Sequence, residues 1–439
     1  MRQTIFILFA FHFSLLTSTA QQWTMQQCMQ YAVEHNHEVK QSELELDNYK
    51  MTKTGAIGNF LPSLGATVGT QYNFGRAIDP ETNLYTDVST FYNGYSLQAS
   101  LPVFDGFSRL HALKAAKASE LMGHHALRQR QDQTALDVLR AYADVAYYDG
   151  LVMMADEKVK ETEQLLKQTQ VMEEVGRKSA ADVAQVESQK AEADYELLHQ
   201  QNLYASALLE LKKTMAFPLN DSLSIEFIPN ADNRLAASIV EEQSFNRELN
   251  PELQAAQYKM QASKYEWRQA RASLLPALSI SAGLNTTYNK TLHSETAASF
   301  SSQLKNNLGE FVGATLSIPL FNRLQSITNI RKAKNRFKIA QETYAQKQLE
   351  LEKLSREAWQ DWLAYQKQTI QMEKKVEADS LSYQLTRRQF EEGLSTAIDL
   401  HTTSTQLLQS KATLLQCQLM AMVKEQLVRY YKGETIWTE

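Results

Sequence analysis

Two stretches of this sequence follow one pattern: LPSLGATVGTQYNFG at residues 61–75 and LPALSISAGLNTTYN at residues 275–289. Each opens with a Leu-Pro step and then alternates between apolar and small polar side chains. Successive side chains of a strand point to opposite faces of its sheet, so this period of two predicts strands with one apolar face. With two further alternating segments, the predicted membrane strands are about 63–75, 92–101, 277–288 and 311–318.

The duplication extends beyond these strands to the rest of the chain. Three landmarks recur at nearly one offset: Leu61-Pro62 as Leu275-Pro276 after 214 residues, Leu101-Pro102 as Ile318-Pro319 after 217, and Gly176 as Gly393 after 217. Such regular spacing predicts a tandem internal repeat. We assign residues 21–216 to the first repeat, 217–250 to a connector with short helical pieces, and 251–439 to the second repeat.

Long helices are predicted in both repeats because no proline occurs between Pro102 and Pro218 or after Pro319. Apolar residues recur there at alternating spacings of three and four, which is typical of helices that pack side by side. A helix from Phe107 to about Val175 would reach ~100 Å at 1.5 Å per residue. Its charged faces belong in water, and Gly176 and Gly393 are predicted to mark hairpin tips.

The N-terminus, residues 1–20, has the charged start, short apolar stretch and small-residue end of a secretory signal. The net charge of −5 and the mixed signs argue against a nucleic-acid partner. The two cysteines, Cys28 and Cys417, are interpreted as buried thiols, although an exported chain could also form a disulfide bond between them. No later segment has the roughly 20 apolar residues of a membrane-spanning helix.

Each predicted strand has about ten residues, which is enough to cross a bilayer when tilted. Lipid does not tolerate open sheet edges, so four strands must join those of other copies. The physics requires an oligomer without fixing its number. A half-buried sheet in a water-soluble protein is the alternative interpretation of the alternation.

Catalytic and metal-binding patterns are not evident in the sequence, and we predict neither an enzyme nor a cofactor. The pairs His124-His125 and His35-Asn36-His37 have the wrong spacing to share one helix face. No Cys or carboxylate set at ligand spacing accompanies them. We therefore interpret them as solvated helix histidines.

The sequence resembles the TolC-like outer-membrane factor family over essentially the whole mature chain. The motifs that carry this resemblance are Trp23-Thr24-Met25-Gln26-Gln27-Cys28, the two Leu-Pro steps, Leu101-Pro102-Val103-Phe104-Asp105-Gly106 and Ile318-Pro319-Leu320-Phe321-Asn322. The resemblance implies a homotrimer in outer-membrane lipid, with a twelve-stranded β-barrel and a coiled-coil tunnel of α-helices in the periplasm. It implies passive efflux or secretion through an exit duct, with a periplasmic adaptor protein and an inner-membrane pump as partners.

The resemblance also implies two functional regions. Adaptor docking would fall on the hairpin tips, at Val175, Gly176, Arg177, Lys178 and Ser179, and at Gly393, Leu394, Ser395 and Thr396. A narrow periplasmic aperture would fall on Asp399, with Asp182 at the equivalent place in the first repeat. The family's second aspartate position is Thr402 here, so the pattern is incomplete. Helix capping is the other interpretation of Asp399 and Asp182.

Two other functional classes remain open at this stage. A periplasmic coiled-coil structural or interaction protein without a pore would explain the helices but not the strands. A periplasmic enzyme would need a clustered site, which the sequence does not reveal. The transported substrate and the class of pump cannot be read from the sequence.

Overall fold

The computed structural model of the chain describes residues 22–78, 83–87, 89–226, 248–292 and 298–437. The predicted signal peptide and most of the predicted connector lie outside these ranges. The helices are α1 (Met25–His35), α2 (His37–Gly58), α3 (Ser108–Glu174), α4 (Ala180–Met215), α5 (Pro251–Ala272), α6 (Phe300–Asn306), α7 (Gln325–Glu391) and α8 (Ala397–Tyr431). The strands are β1 (Gln22–Trp23), β2 (Ser63–Asn73), β3 (Arg76–Ile78), β4 (Tyr85–Asp87), β5 (Thr90–Phe104), β6 (Ser224–Ile225), β7 (Ala277–Thr291) and β8 (Gly309–Ser317).

The helix lengths confirm the internal repeat. Helices α3 and α7 each have 67 residues, and the helices that follow them, α4 and α8, have 36 and 35. At 1.5 Å per residue, α3 and α7 are each about 100 Å long. None of the helices in the described residues combines the length and apolar character needed to cross a membrane.

The helical segment at the start of the first repeat consists of two helices, α1 and α2, and not of one. Asn36 takes an extended conformation between α1 and α2, with ψ of 134°. Its side-chain oxygen accepts a hydrogen bond from the Glu38 amide at 2.7 Å, and its side-chain nitrogen donates to the Thr214 carbonyl at 2.9 Å. Asparagine competes in this way for backbone hydrogen bonds, so it favours a helix end over a helix interior.

The four long strands form one antiparallel sheet in the order β2-β5-β7-β8. Their register brings the four apolar faces to one side, because directly paired residues share a face. One such row is Leu64, Ala99, Ala282 and Val312. Much of this face is exposed: Val68 is 65% exposed and Val312 is 82% exposed, while Phe300 of α6 packs edge to face on Tyr95 at 6.3 Å. Within the described residues, β2 and β8 each have only one neighbouring strand, so both edges of the sheet are open.

Two features of the sheet depart from strict alternation. Phe311 lies on the polar face, where its ring approaches to 2.7 Å the position that a Cβ atom on Gly283 would occupy. The ring therefore covers a glycine of the neighbouring strand. Strand β5 also continues past Pro102 to Phe104 through a register shift. Pro102 is tolerated there because the pairing with β2 ends at Ser100, so its missing amide has no ladder bond to make on that side.

The chain divides into two compact units, and each draws on both repeats. The strand unit contains residues 42–128 and 251–350, and the tip unit contains residues up to 41, 129–250 and from 351 onward. The core of the tip unit includes Cys28, Leu139, Tyr142, Leu211 and Met215, all fully buried or nearly so. Both cysteines are free and buried, which confirms the interpretation as apolar thiols.

Candidate functional site

Both predicted hairpin tips are present and have the same backbone geometry. Gly176 follows α3 with φ of +70°, and Gly393 follows α7 with φ of +80°. At the first tip, the Arg177 amide donates to the Met172 carbonyl at 2.8 Å, and at the second the Leu394 amide donates to Gln389 at 2.7 Å. These six-to-one hydrogen bonds define the Schellman ending of a helix, which requires a left-handed residue that glycine supplies best.

Each tip is closed on its other side by a capping box. The Asp182 carboxylate accepts hydrogen bonds from the amide and hydroxyl of Ser179, at 2.9 and 2.8 Å. The Asp399 carboxylate accepts the same pair of bonds from Thr396, at 3.1 and 2.6 Å. In return, the hydroxyls of Ser179 and Thr396 accept the amides of the two aspartates at 3.2 Å. The capping interpretation of both aspartates is therefore confirmed.

These hydrogen bonds also affect the charge of the tips. The bonds from Thr396 hold the pKa of Asp399 below its usual range, and those from Ser179 do the same for the pKa of Asp182. Both carboxylates thus stay ionised in mild acid. Thr402 lies one turn beyond Asp399 on the same exposed side of α8, and its hydroxyl donates to the Ile398 carbonyl at 2.9 Å.

The remaining predicted tip residues are largely exposed. Val175 is 66% exposed and Leu394 is 76% exposed, and they lie beside the two glycines. Arg177, Ser179 and Thr396 are exposed as well, while Ser395 is partly buried. Each tip therefore presents an apolar side chain to solvent among polar neighbours. Exposed large apolar groups of this kind often mark an interaction surface.

The two tips pack against each other through a small apolar core that sequence reasoning missed. Phe390 of α7 is fully buried against Val186 of α4 and against Ala397 and Leu400 of α8. The Lys178 ammonium lies 4.0 Å from the centre of the Phe390 ring, which is a cation–π contact. A signal was present: the equivalent position in the first repeat, 217 residues earlier, is Glu173. The two copies therefore differ at this position, and in the structure Phe390 fills the space between them.

Polar side chains within the tip unit also link its helices. Gln189 of α4 donates to the Ala397 carbonyl at 3.2 Å, and Gln406 of α8 donates to Asp379 of α7 at 3.0 Å. Lys158 of α3 donates to the Ser404 hydroxyl of α8. The Lys375 ammonium beside Asp379 is the main reason that the pKa of this carboxyl is low. Satisfied polar contacts of this kind fix which helix faces meet.

The candidate metal ligands do not come together. His35 stacks on Tyr31 with ring centres 4.0 Å apart, and His125 stacks on Tyr258 at 5.3 Å. His37 and His124 are exposed. Among the residues that the structure describes, no group of three His, Cys, Asp or Glu side chains could hold a metal ion.

Comparison with known proteins places this architecture in a family. Residues 28–216 and 246–429, in both repeats, match the family model described as "Outer membrane efflux protein". The chain belongs to this family. This family consists of outer-membrane efflux proteins and not of enzymes, which confirms the family, the location and the non-enzymatic nature predicted from the sequence.

Curated relatives are distant. The chain is 23% identical over 286 residues to the alkaline protease secretion protein AprF of Pseudomonas aeruginosa, over 60% of this chain and 55% of AprF. It is 24% identical over 261 residues to the toluene efflux pump outer membrane protein TtgC of Pseudomonas putida, over 59% of this chain and 53% of TtgC. The aligned part therefore spans only about half the length of these relatives.

Solved structures show that the fold of the efflux protein is shared. The outer membrane protein VceC of Vibrio cholerae superposes with a TM-score of 0.77 at 14% identity, covering 94% of this chain and 96% of VceC. This likeness confirms the predicted fold class of long helices with four antiparallel strands per chain. It extends over nearly the full length of both proteins, although so little of the sequence is identical.

Proposed function

We propose that this efflux protein is the outer-membrane exit duct of a tripartite efflux or secretion system. The observation that carries the proposal is the largely exposed apolar face of the sheet together with its two open edges. An apolar face of strands long enough to cross a bilayer suits lipid contact, and open edges must be paired in lipid. Family membership agrees with this proposal.

Pairing of the open edges β2 and β8 with other copies would close the sheet. Each chain supplies four strands, and single-chain barrels of the membrane begin at about eight. We propose a homotrimer, whose three copies would supply twelve strands, as the family resemblance implies. Apart from residues such as Phe311, the opposite face of the sheet carries Ser, Thr, Gly, Asn and Gln and would line a weakly selective pore.

The proposed partners of this passive duct are a pump and an adaptor. The family resemblance implies an inner-membrane pump that supplies the energy, and a periplasmic adaptor that bridges the pump to the tips. We propose that the exposed Val175 and Leu394, with the residues that flank them, form the adaptor-docking surface. AprF is named for protease secretion and TtgC for toluene efflux, so relatives serve both secreted proteins and small molecules.

We assign the periplasmic aperture to Asp399, with Asp182 and Thr402 nearby. A ring of carboxylates from several copies would favour cations over anions. Capping and selectivity can be separated because α1 of this same chain has a capping box with Gln27 in the aspartate position. Asp399→Gln should keep the box and lose the charge, whereas Asp399→Ala should lose both. If the charge matters, both variants reduce cation selectivity equally in single-channel recordings, and only Asp399→Ala destabilises the tip.

The duct itself is tested by localisation and conductance of the mature chain. We expect it to fractionate with the outer membrane, to show heat-modifiable migration in detergent and to form stable pores in planar bilayers. A water-soluble monomer without pore activity would refute the duct. It would instead support a periplasmic coiled-coil structural protein.

A further inference from the structure

A group of cationic side chains without carboxylate partners in the described residues lies within the strand unit, where the strands of the sheet meet helices α3 and α5. We define the basic cluster as His111 and Lys114 near the start of α3, with Arg268 and Arg271 near the end of α5. Among the described residues, no carboxylate forms an ion pair with Lys114, Arg268 or Arg271. Asp105, the acidic residue nearest in the chain to the start of α3, forms an ion pair with Arg109 instead, with 3.0 Å between Asp105 Oδ2 and Arg109 Nε.

Aromatic rings hold the cations of the basic cluster in place. The Arg268 guanidinium lies 5.7 Å from the centre of the Tyr265 ring, and the Lys114 ammonium lies 6.0 Å from the same ring. Arg271 lies 5.8 Å from the ring of Trp267. These contacts orient the charged groups but leave them without a counter-charge. Within the part of the chain that the structure describes, no side chain hydrogen-bonds either guanidinium group, so both can donate to an anion.

The histidine of the cluster has an unused polar atom in the described part of the chain. His111 Nδ1 is buried and has no hydrogen-bond partner there. Burial and the neighbouring Arg268 and Lys114 lower the pKa of His111. The surroundings of the ring are therefore positive. An anionic group with oxygen acceptors is the partner that such a set of donors lacks.

A tight backbone contact frames the cluster. Gly106, with φ of +65°, lies so close to the end of α5 that a Cβ atom would come within 2.7 Å of Leu275 Cβ and 2.9 Å of the Ala272 carbonyl oxygen. This contact brings the start of α3 to the end of α5. Between them is an open pocket of about 490 Å³, lined by His111, Arg268, Arg271 and by the apolar Phe107 and Leu274, among others.

Two aromatic rings link the lining of the pocket to the apolar face of the sheet. Phe104 pairs with Leu278, which lies on that face, and the Phe104 and Phe107 rings meet edge to face at 5.4 Å. Arg268 and Arg271 lie within about 6 Å of the end of α5, at 1.5 Å per residue. The headgroup layer on each side of a bilayer is roughly 5–8 Å thick. The cluster is therefore at headgroup depth if the sheet spans the hydrocarbon.

We infer that the basic cluster binds the phosphate of a glycerophospholipid, whose acyl chains lie against Phe104, Phe107 and Leu274. The two guanidinium groups are suited to bidentate contact with phosphate oxygens. The inference rests on the proposed insertion of the sheet in the outer membrane. A bound lipid would anchor the junction of strands and helices at a fixed depth.

Native mass spectrometry of the assembled protein in a maltoside detergent tests this inference. The probes are dihexanoylphosphatidylglycerol, dihexanoylglycerol without phosphate, and inorganic phosphate. The double variant Arg268→Gln/Arg271→Gln removes both guanidinium groups, and Arg268→Lys/Arg271→Lys keeps their positive charge without the bidentate geometry. Lys259→Gln/Lys264→Gln is the matched control because it removes two exposed charges from the same helix outside the cluster.

We expect phosphatidylglycerol to bind the original protein and the control variant alike. The glutamine variant should bind it at least about tenfold more weakly, and the lysine variant should recover part of the affinity. The inference would be overturned by any of three results: equal affinity of all variants for phosphatidylglycerol, binding of dihexanoylglycerol as tightly as phosphatidylglycerol, or binding of inorganic phosphate in preference to the lipid. Outer-membrane fractionation of the same variants distinguishes this failure from a failure of the duct, since a lost lipid site leaves the chain in the membrane.

Discussion

Replacement of Phe390 by alanine should loosen both hairpin tips at once. The ring is fully buried and contacts Val186, Ala397 and Leu400, so the substitution removes contacts to α4 as well as α8. Truncation of a buried phenylalanine typically costs about 3–5 kcal/mol through lost burial and the cavity that remains. A cost of about 3 kcal/mol corresponds to roughly a hundredfold change in an opening equilibrium.

Amide hydrogen exchange measures this opening directly. We expect the amides that flank Gly176 and Gly393 to exchange roughly 10²–10³ times faster in Phe390→Ala. Leu394→Ala is the control: this side chain lies in the same tip but is 76% exposed, and its loss should change exchange little. The reasoning fails if Phe390→Ala changes exchange by less than tenfold, matches the control, or affects only the second tip.

Three further perturbations test other parts of the structure. A Cβ atom at Gly176 would meet no other atom within 4 Å, so Gly176→Ala should cost only the left-handed backbone penalty of about 1–2 kcal/mol. Amide exchange at the first tip should then be roughly tenfold faster. Gly55→Ala is the control: the position has equal space and an ordinary φ, so the substitution should not destabilise the protein. Burial raises the pKa of the Cys28 thiol to about 12, so iodoacetamide should label it at pH 8 only after unfolding, and rapid labelling of the native protein would contradict its burial. Hydrogen bonds from Thr396 lower the pKa of Asp399. The capping contribution of Asp399 to stability should therefore persist as the pH falls to the ordinary aspartate pKa of about 3.9, and be lost only below that pH. Loss of exchange protection at the second tip above this pH, relative to Asp399→Gln, would refute the prediction.

Local periodicity made much of the fold predictable. The period of two in residues 61–75 and 275–289 marked strands that the structure has at Ser63–Asn73 and Ala277–Thr291. The absence of proline between Pro102 and Pro218 and after Pro319 allowed the long helices, and Gly176 and Gly393 marked where two of them end. The sequence was a poorer guide at Asn36, where a side chain that hydrogen-bonds the backbone interrupts a helix without any change in composition.

The candidate site was predicted only in part. Asp182 and Asp399 could be recognised because a capping box depends on residues three apart in the chain. The role of Phe390 could not be read in the same way, because a buried apolar residue on a long helix looks the same whichever neighbour covers it. The contact of Lys178 with the Phe390 ring depends on that packing. Only the comparison of the two repeats set this position apart, because Glu173 is the residue of the first repeat that is equivalent to Phe390.

The sequence by itself determined the type, the length and the duplication of the elements, since these depend on spacings within a few residues and on where glycine and proline interrupt them. The tertiary structure decided how distant segments align. Strand register brought four apolar faces to one side of the sheet, and the close approach at Gly106 brought His111 beside Arg268. Such pairings depend on the three-dimensional packing of residues far apart in the chain, which no local pattern specifies.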